Sequence, residues 1–339
     1  MKRDAIVVLA VTGGLWAAPA PADPVADFYK DKSITVVSAG EAGGAHGLYT
    51  QLIANHIRRH IPGNPAVVVK HMAGAGGNLS MNYLYNAAPK DGTHIGVPLQ
   101  DLMFNARIGV TAVKYDAAKA YYLGGVDVTR TTVSVMKASG VNTIEDAKQK
   151  ETLMGASGKS GTQYTVPVVL NALIGTKFRL VLGYAGIAAV HLAMARGEVH
   201  GSAASWAAIA DTKPDWIEKG LVSNLVTVAM ERDPRLPDVP VVTEMLKSAE
   251  DLALVRLIAG SAALGRAWVA MGDIPPDRLA ALRDAYAQTM ADPAFVAELV
   301  QRKLWMEPIS WRDQQVLAQQ ILATPEPVVV RLKTILGLD

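Results

Sequence analysis

Two stretches of this chain put glycine, hydroxyl and backbone N–H groups where an anion can be held. In ITVVSAGEAGGAHGLYTQLIANHI, an apolar strand from Ile34 runs through Glu41, Ala42, Gly43, Gly44, Ala45, His46 and Gly47 into an amphipathic helix ending near Ile57. In TLMGASGKSGTQYTVPVVLNALIG, the strand beginning at Thr152 runs through Ser157, Gly158, Ser160, Gly161 and Thr162 into a helix ending at Gly175. A strand followed by a glycine turn sets the next helix's free N–H groups at the carboxyl edge of a sheet, and those groups attract negative charge. Two such loops predict two α/β lobes facing each other across a cleft sized for a small acid. Ser157, Ser160 and Thr162 also suit helix caps, and one set of N–H groups serves both purposes.

Other chemistries fit less well. GKS at 158–160 suggests a phosphate loop, but the glycine that motif needs five residues before its second one is replaced by Leu153. No G-x-G-x-x-G opens the first helix, and no G-x-S-x-G elbow is present. His56 and His60 are spaced to share a helix face, yet lack the H-E-x-x-H glutamate, and NHIRRH reads as a solvated surface. His71 and His94 fall near strand ends, in the core or in the cleft. Trp206, after the small residues 201–205, reads as a packing anchor. The chain has no cysteine, which excludes disulfides, thiolate metal sites and a cysteine nucleophile. No catalytic residue, metal site or cofactor is expected.

The chain has 339 residues and a formal net charge of +2, with no basic run beyond Arg58-Arg59. Nothing in that balance predicts a nucleic-acid partner. Lys2 and Arg3 precede an apolar stretch at 5–18 that is too short to span a bilayer, where about 20 residues are needed. Small residues at Ala18, Ala20 and Ala22 then offer cleavage sites, so 1–22 reads as a signal peptide cut after Ala22. With no cysteine to accept lipid, the exported chain is expected to diffuse freely, which is useful only where an outer membrane retains it. That places it in a periplasm.

Strands and helices alternate along most of the length, which predicts a mainly parallel sheet in each lobe. Leu48, Tyr49, Leu52, Ile53 and Ile57 follow a helical period. Val67–Val69 reads as a second, buried strand, and MAGAGG at 72–77 as the turn after it. Pro167 must kink the second-loop helix or lie in its first turn. Beyond Leu254 the chain becomes helical, and these helices are expected to pack back on the first lobe. Lobe 1 is assigned to 28–128 plus 262–339 and lobe 2 to 129–261.

The punctuation resembles the periplasmic substrate-binding proteins of tripartite tricarboxylate transporters, the Bug family. The matching pieces are EAGGAHGLY at 41–49, HIPGNPAVVVKHMAGAGG at 60–77, NYLYNAAPKDGTHIG at 82–96, GASGKSGT at 155–162 and NALIGTKFRLVLGYAGIAAVHLAMARGEVHG at 171–201. The resemblance implies a two-lobe, Venus-flytrap fold whose cleft binds a small carboxylate. It nominates Glu41 to Gly47, Ser157 to Thr162, and Tyr184 with Ala185 as ligand contacts. It further implies a monomeric receptor that works with transporter membrane subunits. Members of that family commonly carry an Asp just ahead of the first helix. Here the position is Gly47, preceded by His46, a possible donor to the ligand. The alternatives are a receptor serving a sensor kinase, or an exported hydrolase or lyase using the same cleft.

Overall fold

The computed structural model describes residues 23–159 and 161–338. The signal segment 1–22 and Ser160 lie outside the described residues. The first part of the chain forms α1 (Pro24–Tyr29), β1 (Ser33–Ser38), α2 (Ala45–Ile57), β2 (Ala66–His71), α3 (Asn78–Asn86), β3 (His94–Val97), α4 (Leu102–Arg107) and β4 (Ala120–Gly125). Next come β5 (Thr131–Met136), α5 (Ile144–Gln149), β6 (Thr152–Ala156), α6 (Thr162–Ile174), β7 (Phe178–Leu182), α7 (Ile187–Arg196), β8 (Gly201–Ser205), α8 (Ala207–Ala210), α9 (Pro214–Glu218) and β9 (Val222–Val228). The chain ends with α10 (Ala249–Ala263), β10 (Ala267–Met271), α11 (Pro276–Ala291), α12 (Pro293–Gln301), α13 (Trp311–Leu322) and α14 (Glu326–Leu336).

These strands make two five-stranded sheets with one topology, ordered β2-β1-β3-β10-β4 and β7-β6-β8-β5-β9. In the first, β1 pairs in parallel with β2 and β3, whereas β10 is antiparallel to β3 and β4. In the second, β6 pairs in parallel with β7 and β8, whereas β5 is antiparallel to β8 and β9. The reversed strand in each is the one that arrives from the other sheet. The sheets are therefore mixed, with four strands running one way and one the other.

Val67–Val69 does form a strand, but at the sheet's edge. Val68 is 54% exposed because β2 has a neighbour on one side only. The first sheet packs Ile34, Val36, Ile95 and Trp268 against Tyr49, Leu52 and Ile53 of α2 and against Leu282, Tyr286 and Phe295 of α11 and α12. Each such fully buried large side chain contributes about 1.5–3 kcal/mol. A larger cluster runs continuously from Val37, Met81 and Phe104 to Val133, Met154 and Leu225 of the second sheet.

Pro167 falls in the second turn of α6, inside the helix rather than in its first turn. Of the C-terminal helices, α11 and α13 pack on β4, while α14 lies on α6 of the second sheet. His56 and His60 are not a free surface. His56 bonds Glu298 at 2.6 Å and His60 bonds Asp292 at 2.8 Å, tying α2 and the turn after it to the start and middle of α12. Trp206 is 9% exposed and packs with Val190 and Trp216, as a packing anchor does.

Candidate functional site

The carboxyl edges of the parallel strands in the two sheets point at one another, and a cavity of about 420 Å³ lies between them. Its walls come from the loops after β1, β2 and β3 on one side and after β6 and β7 on the other. Crevices outside the carboxyl ends of parallel strands are where α/β proteins hold ligands. Glu41, Gly44, Ala45, His46, Ser157, Gly158, Gly161, Thr162, Tyr184 and Ala185 all line it. Ala42 and Gly43 do not; both are exposed, and Gly43 borders a smaller hollow beside His191 and Lys213.

Four of the helices that begin at this cavity start on a glycine. Gly44, Gly77, Gly161 and Gly186 are the N-caps of α2, α3, α6 and α7, and none supplies a side-chain cap. Uncapped first turns leave N–H groups that carry partial positive charge, except that at α3 those of Gly77, Asn78 and Leu79 turn back to the carbonyls of Gly74 and Ala75. Before α3 the backbone is left-handed at Gly76 and Gly77, with φ of 64° and 86°, and Ala75 shares that region at 49°. Glycine takes this conformation at no steric cost, so the AGAGG sequence can turn its backbone inward over the cavity.

Protein carboxylates meet the two second-sheet helices. Asp101 stands at the N-cap of α4 but does not cap it. Instead it accepts the Thr162 hydroxyl at 2.7 Å and the Thr162 N–H at 3.4 Å, at the start of α6. Burial pushes its carboxyl up to about 6, although both Thr162 bonds favour the charged form. Glu41 reaches across to α7, where a Cβ on Gly186 would lie 2.6–2.7 Å from its carboxylate oxygens. Among the described residues Glu41's side chain has no hydrogen-bond partner. The Ser157 N–H is also occupied, donating to Gln163 Oε1 at 3.0 Å.

Arg266 is the cation lining the cavity among the described residues. The turn at Gly265, with φ of 61°, lays it against Asp127. The two form a buried ion pair, with 7% and 1% of their side chains exposed. The guanidinium also covers the Tyr49 ring, 4.5 Å from its centroid, and the Tyr49 hydroxyl donates to the Trp305 carbonyl at 2.7 Å. His46 shares a hydrogen bond with the Val97 carbonyl through Nε2 at 3.3 Å. Burial, with Arg266 nearby, lowers its pKa to about 4, so it is neutral at pH 7. His71 braces the first loop, bonding the Gly40 carbonyl at 2.8 Å. Gly47 accepts no side chain: a Cβ there would lie 2.1 Å from the Glu41 carbonyl oxygen.

Asp101, Arg266 and the loop 73–77 line the cavity without belonging to either of the two loop motifs. The glycine run after β2 repeats the signal of the other two loops and is open to the same reading. Asp101 reads as an ordinary helix start, and Arg266 is brought in by the return of the chain in β10.

Two sheets of like topology, with one cavity between their strand ends, define a bilobal ligand-binding protein. The sequence signature described as "Tripartite tricarboxylate transporter family receptor" (TctC) matches residues 51–331, and the chain belongs to that family. A Cupriavidus necator protein described as "UPF0065 protein in gbd 5'region" is 25% identical over 322 residues, covering 91% of this chain and 89% of that one. R. palustris Rpa4515, solved with adipate, superposes with a TM-score of 0.69 at 21% identity, over 90% of this chain and 97% of that chain. The periplasmic binding protein BugD gives 0.69 at 18% identity, over 92% and 99%. MatC from Rhodopseudomonas palustris, with bound malate, gives 0.66 at 18% identity, over 90% and 99%. Their likeness establishes the two-lobe fold. Among the described residues no helix is long and apolar enough to cross a membrane.

Proposed function

We propose that this chain is a periplasmic solute receptor that captures one small organic acid in the cleft and delivers it to the membrane subunits of a tripartite tricarboxylate-type transporter. The observation that carries the reading is the convergence of glycine-started helix ends from both sheets on a single cavity. Adipate in Rpa4515 and malate in MatC support a carboxylate as the ligand class. Residues 28–128 with 262–339 form one lobe and 129–261 the other, and the ligand bridges them.

The ligand's carboxylate sits against the first turn of α2, touching Gly44, Ala45 and His46. Ser157, Gly158, Gly161, Thr162, Tyr184 and Ala185 complete the enclosure from the other lobe. A helix start stabilises a partly buried anion by up to about 2 kcal/mol, and a charge-assisted hydrogen bond contributes about 1.5–3. A few of these, with burial, reach the roughly 8 kcal/mol of a micromolar complex. Binding shifts the lobes toward the closed form because the ligand contacts both only there. The protein acts as a monomer and carries out no chemistry on its ligand.

The test is a melting-temperature screen of the chain from Asp23 against mono-, di- and tricarboxylates, aromatic acids and amides, followed by calorimetric titration. A selective, concentration-dependent rise is expected, because only folded-state binding stabilises, with one site per chain. Uptake of the hit into vesicles carrying the membrane subunits should require the receptor. A flat screen, or multiple-turnover conversion of the ligand, refutes the reading.

A further inference from the structure

The charges that line the cavity do not favour a doubly charged anion. Arg266 is matched by Asp127 within hydrogen-bonding distance, and His46 is held neutral by burial. That leaves Glu41 and Asp101, both carboxylates, unbalanced by any cation among the described lining residues. The second-sheet helix starts are where the far end of a dicarboxylate would look for N–H donors. The protein's own acids already stand there: Asp101 on Thr162 at α6, Glu41 over Gly186 at α7. The starts of α2 and α3 have no such acid placed on them. At α3 the Gly77 and Leu79 N–H groups turn back to the Gly74 carbonyl and that of Asn78 to the Ala75 carbonyl. The cavity is thus polarised between the free start of α2 and the carboxylate oxygens toward the second sheet.

On these grounds, and resting on the receptor reading above, we propose that the cleft selects a small zwitterion, with one carboxylate at one end and one ammonium group at the other. The carboxylate lies on the start of α2, and the ammonium lies between Glu41 and Asp101. Both acids keep free acceptor capacity for it. Glu41 has no hydrogen-bond partner among the described residues, and Asp101 spends one oxygen lone pair on each of its two bonds to Thr162. A second ligand carboxylate in that position would face two like charges across a cavity that excludes much of the water. Such juxtaposition is strongly unfavourable.

Length-matched pairs separate the possibilities: 5-aminopentanoate with adipate, 4-aminobutanoate with glutarate, and β-alanine with succinate. Each is titrated calorimetrically into protein stripped of co-purifying ligand by unfolding and refolding. In the best-binding pair the amino acid should bind about tenfold or more tighter than its dicarboxylate partner. Asp101→Asn and Glu41→Gln should each narrow that ratio, by loss of amino-acid binding and gain of dicarboxylate binding. Equal or tighter binding of the dicarboxylate to the unsubstituted protein overturns this inference and leaves the receptor reading standing. An unchanged ratio in Glu41→Gln also overturns it, even if Asp101→Asn disturbs the fold. If no member of any pair binds, this inference fails, while the receptor reading is decided by the wider melting-temperature screen.

Discussion

Replacing Asp101 by Asn tests the electrostatic account of the cleft without changing the side chain's shape. Asp101 is buried, and its carboxyl is raised from 3.8 to about 6, chiefly by desolvation. Two units correspond to about 3 kcal/mol at about 1.4 per unit. This is an upper value, because the start of α6 favours the charged form. A raised acid contributes its full stability below pH 4, where folded and unfolded states are both protonated. That contribution is lost as pH rises through about 6 and the buried group ionises. Between pH 5 and pH 8 the loss is roughly 1.5 kcal/mol, which corresponds to about 3 °C in Tm for a chain of this size. The amide that replaces the carboxyl has no proton to lose and still offers Thr162 a carbonyl acceptor. The Tm of the variant minus that of the unsubstituted protein, measured without ligand, should therefore rise by about 3 °C from pH 5 to pH 8. A difference that is flat or falls over that interval would refute the reasoning.

Other outcomes follow from the same geometry. Gly47→Ala forces a Cβ to 2.1 Å from the Glu41 carbonyl, so it should cost about 1–3 kcal/mol in chemical denaturation and weaken ligand binding. Gly43→Ala, with nothing within 4 Å of its Cβ, should do neither. Arg266→Met leaves Asp127 buried and unpaired and should cost about 3–5 kcal/mol, read from the shift in denaturation midpoint. His46, lowered to about 4, favours folding above pH 6.5 and loses that contribution as pH falls toward 4. His46→Gln should accordingly flatten the acid limb of the stability profile between pH 6.5 and pH 4. An equally steep limb in the variant would contradict the assignment.

The parts of the fold legible in the sequence are those that local rules determine. The loops after β1 and β6 declare themselves by glycine and hydroxyl residues between an apolar strand and a helical period, and both reach the cavity. Strands β4, β5 and β10 do not announce themselves in this way. β10 is AWVAM, buried at every position, so no alternation marks it, and its partners β3 and β4 are distant in the chain. With β10 goes Arg266, whose role depends on meeting Asp127 across 139 residues. Asp101 has the sequence context of a cap for α4, and only the approach of the second sheet shows that its carboxylate serves α6. In the sequence Gly47 looks like the absence of a familiar acid. In three dimensions it is a close approach between α2 and the Glu41 carbonyl that admits no side chain.

The proposed receptor holds one small acid in the cavity between the two sheets. Calorimetric titration of the best ligand from the screen, run in parallel on the unsubstituted protein and on Ala204→Phe, tests it most directly. Ala204 lines the cavity on β8, and a benzyl side chain there would fill part of its roughly 420 Å³. One site per chain is expected in the unsubstituted protein and none in a variant whose circular dichroism is unchanged. Saturable binding that survives Ala204→Phe intact would place the ligand elsewhere and contradict the account.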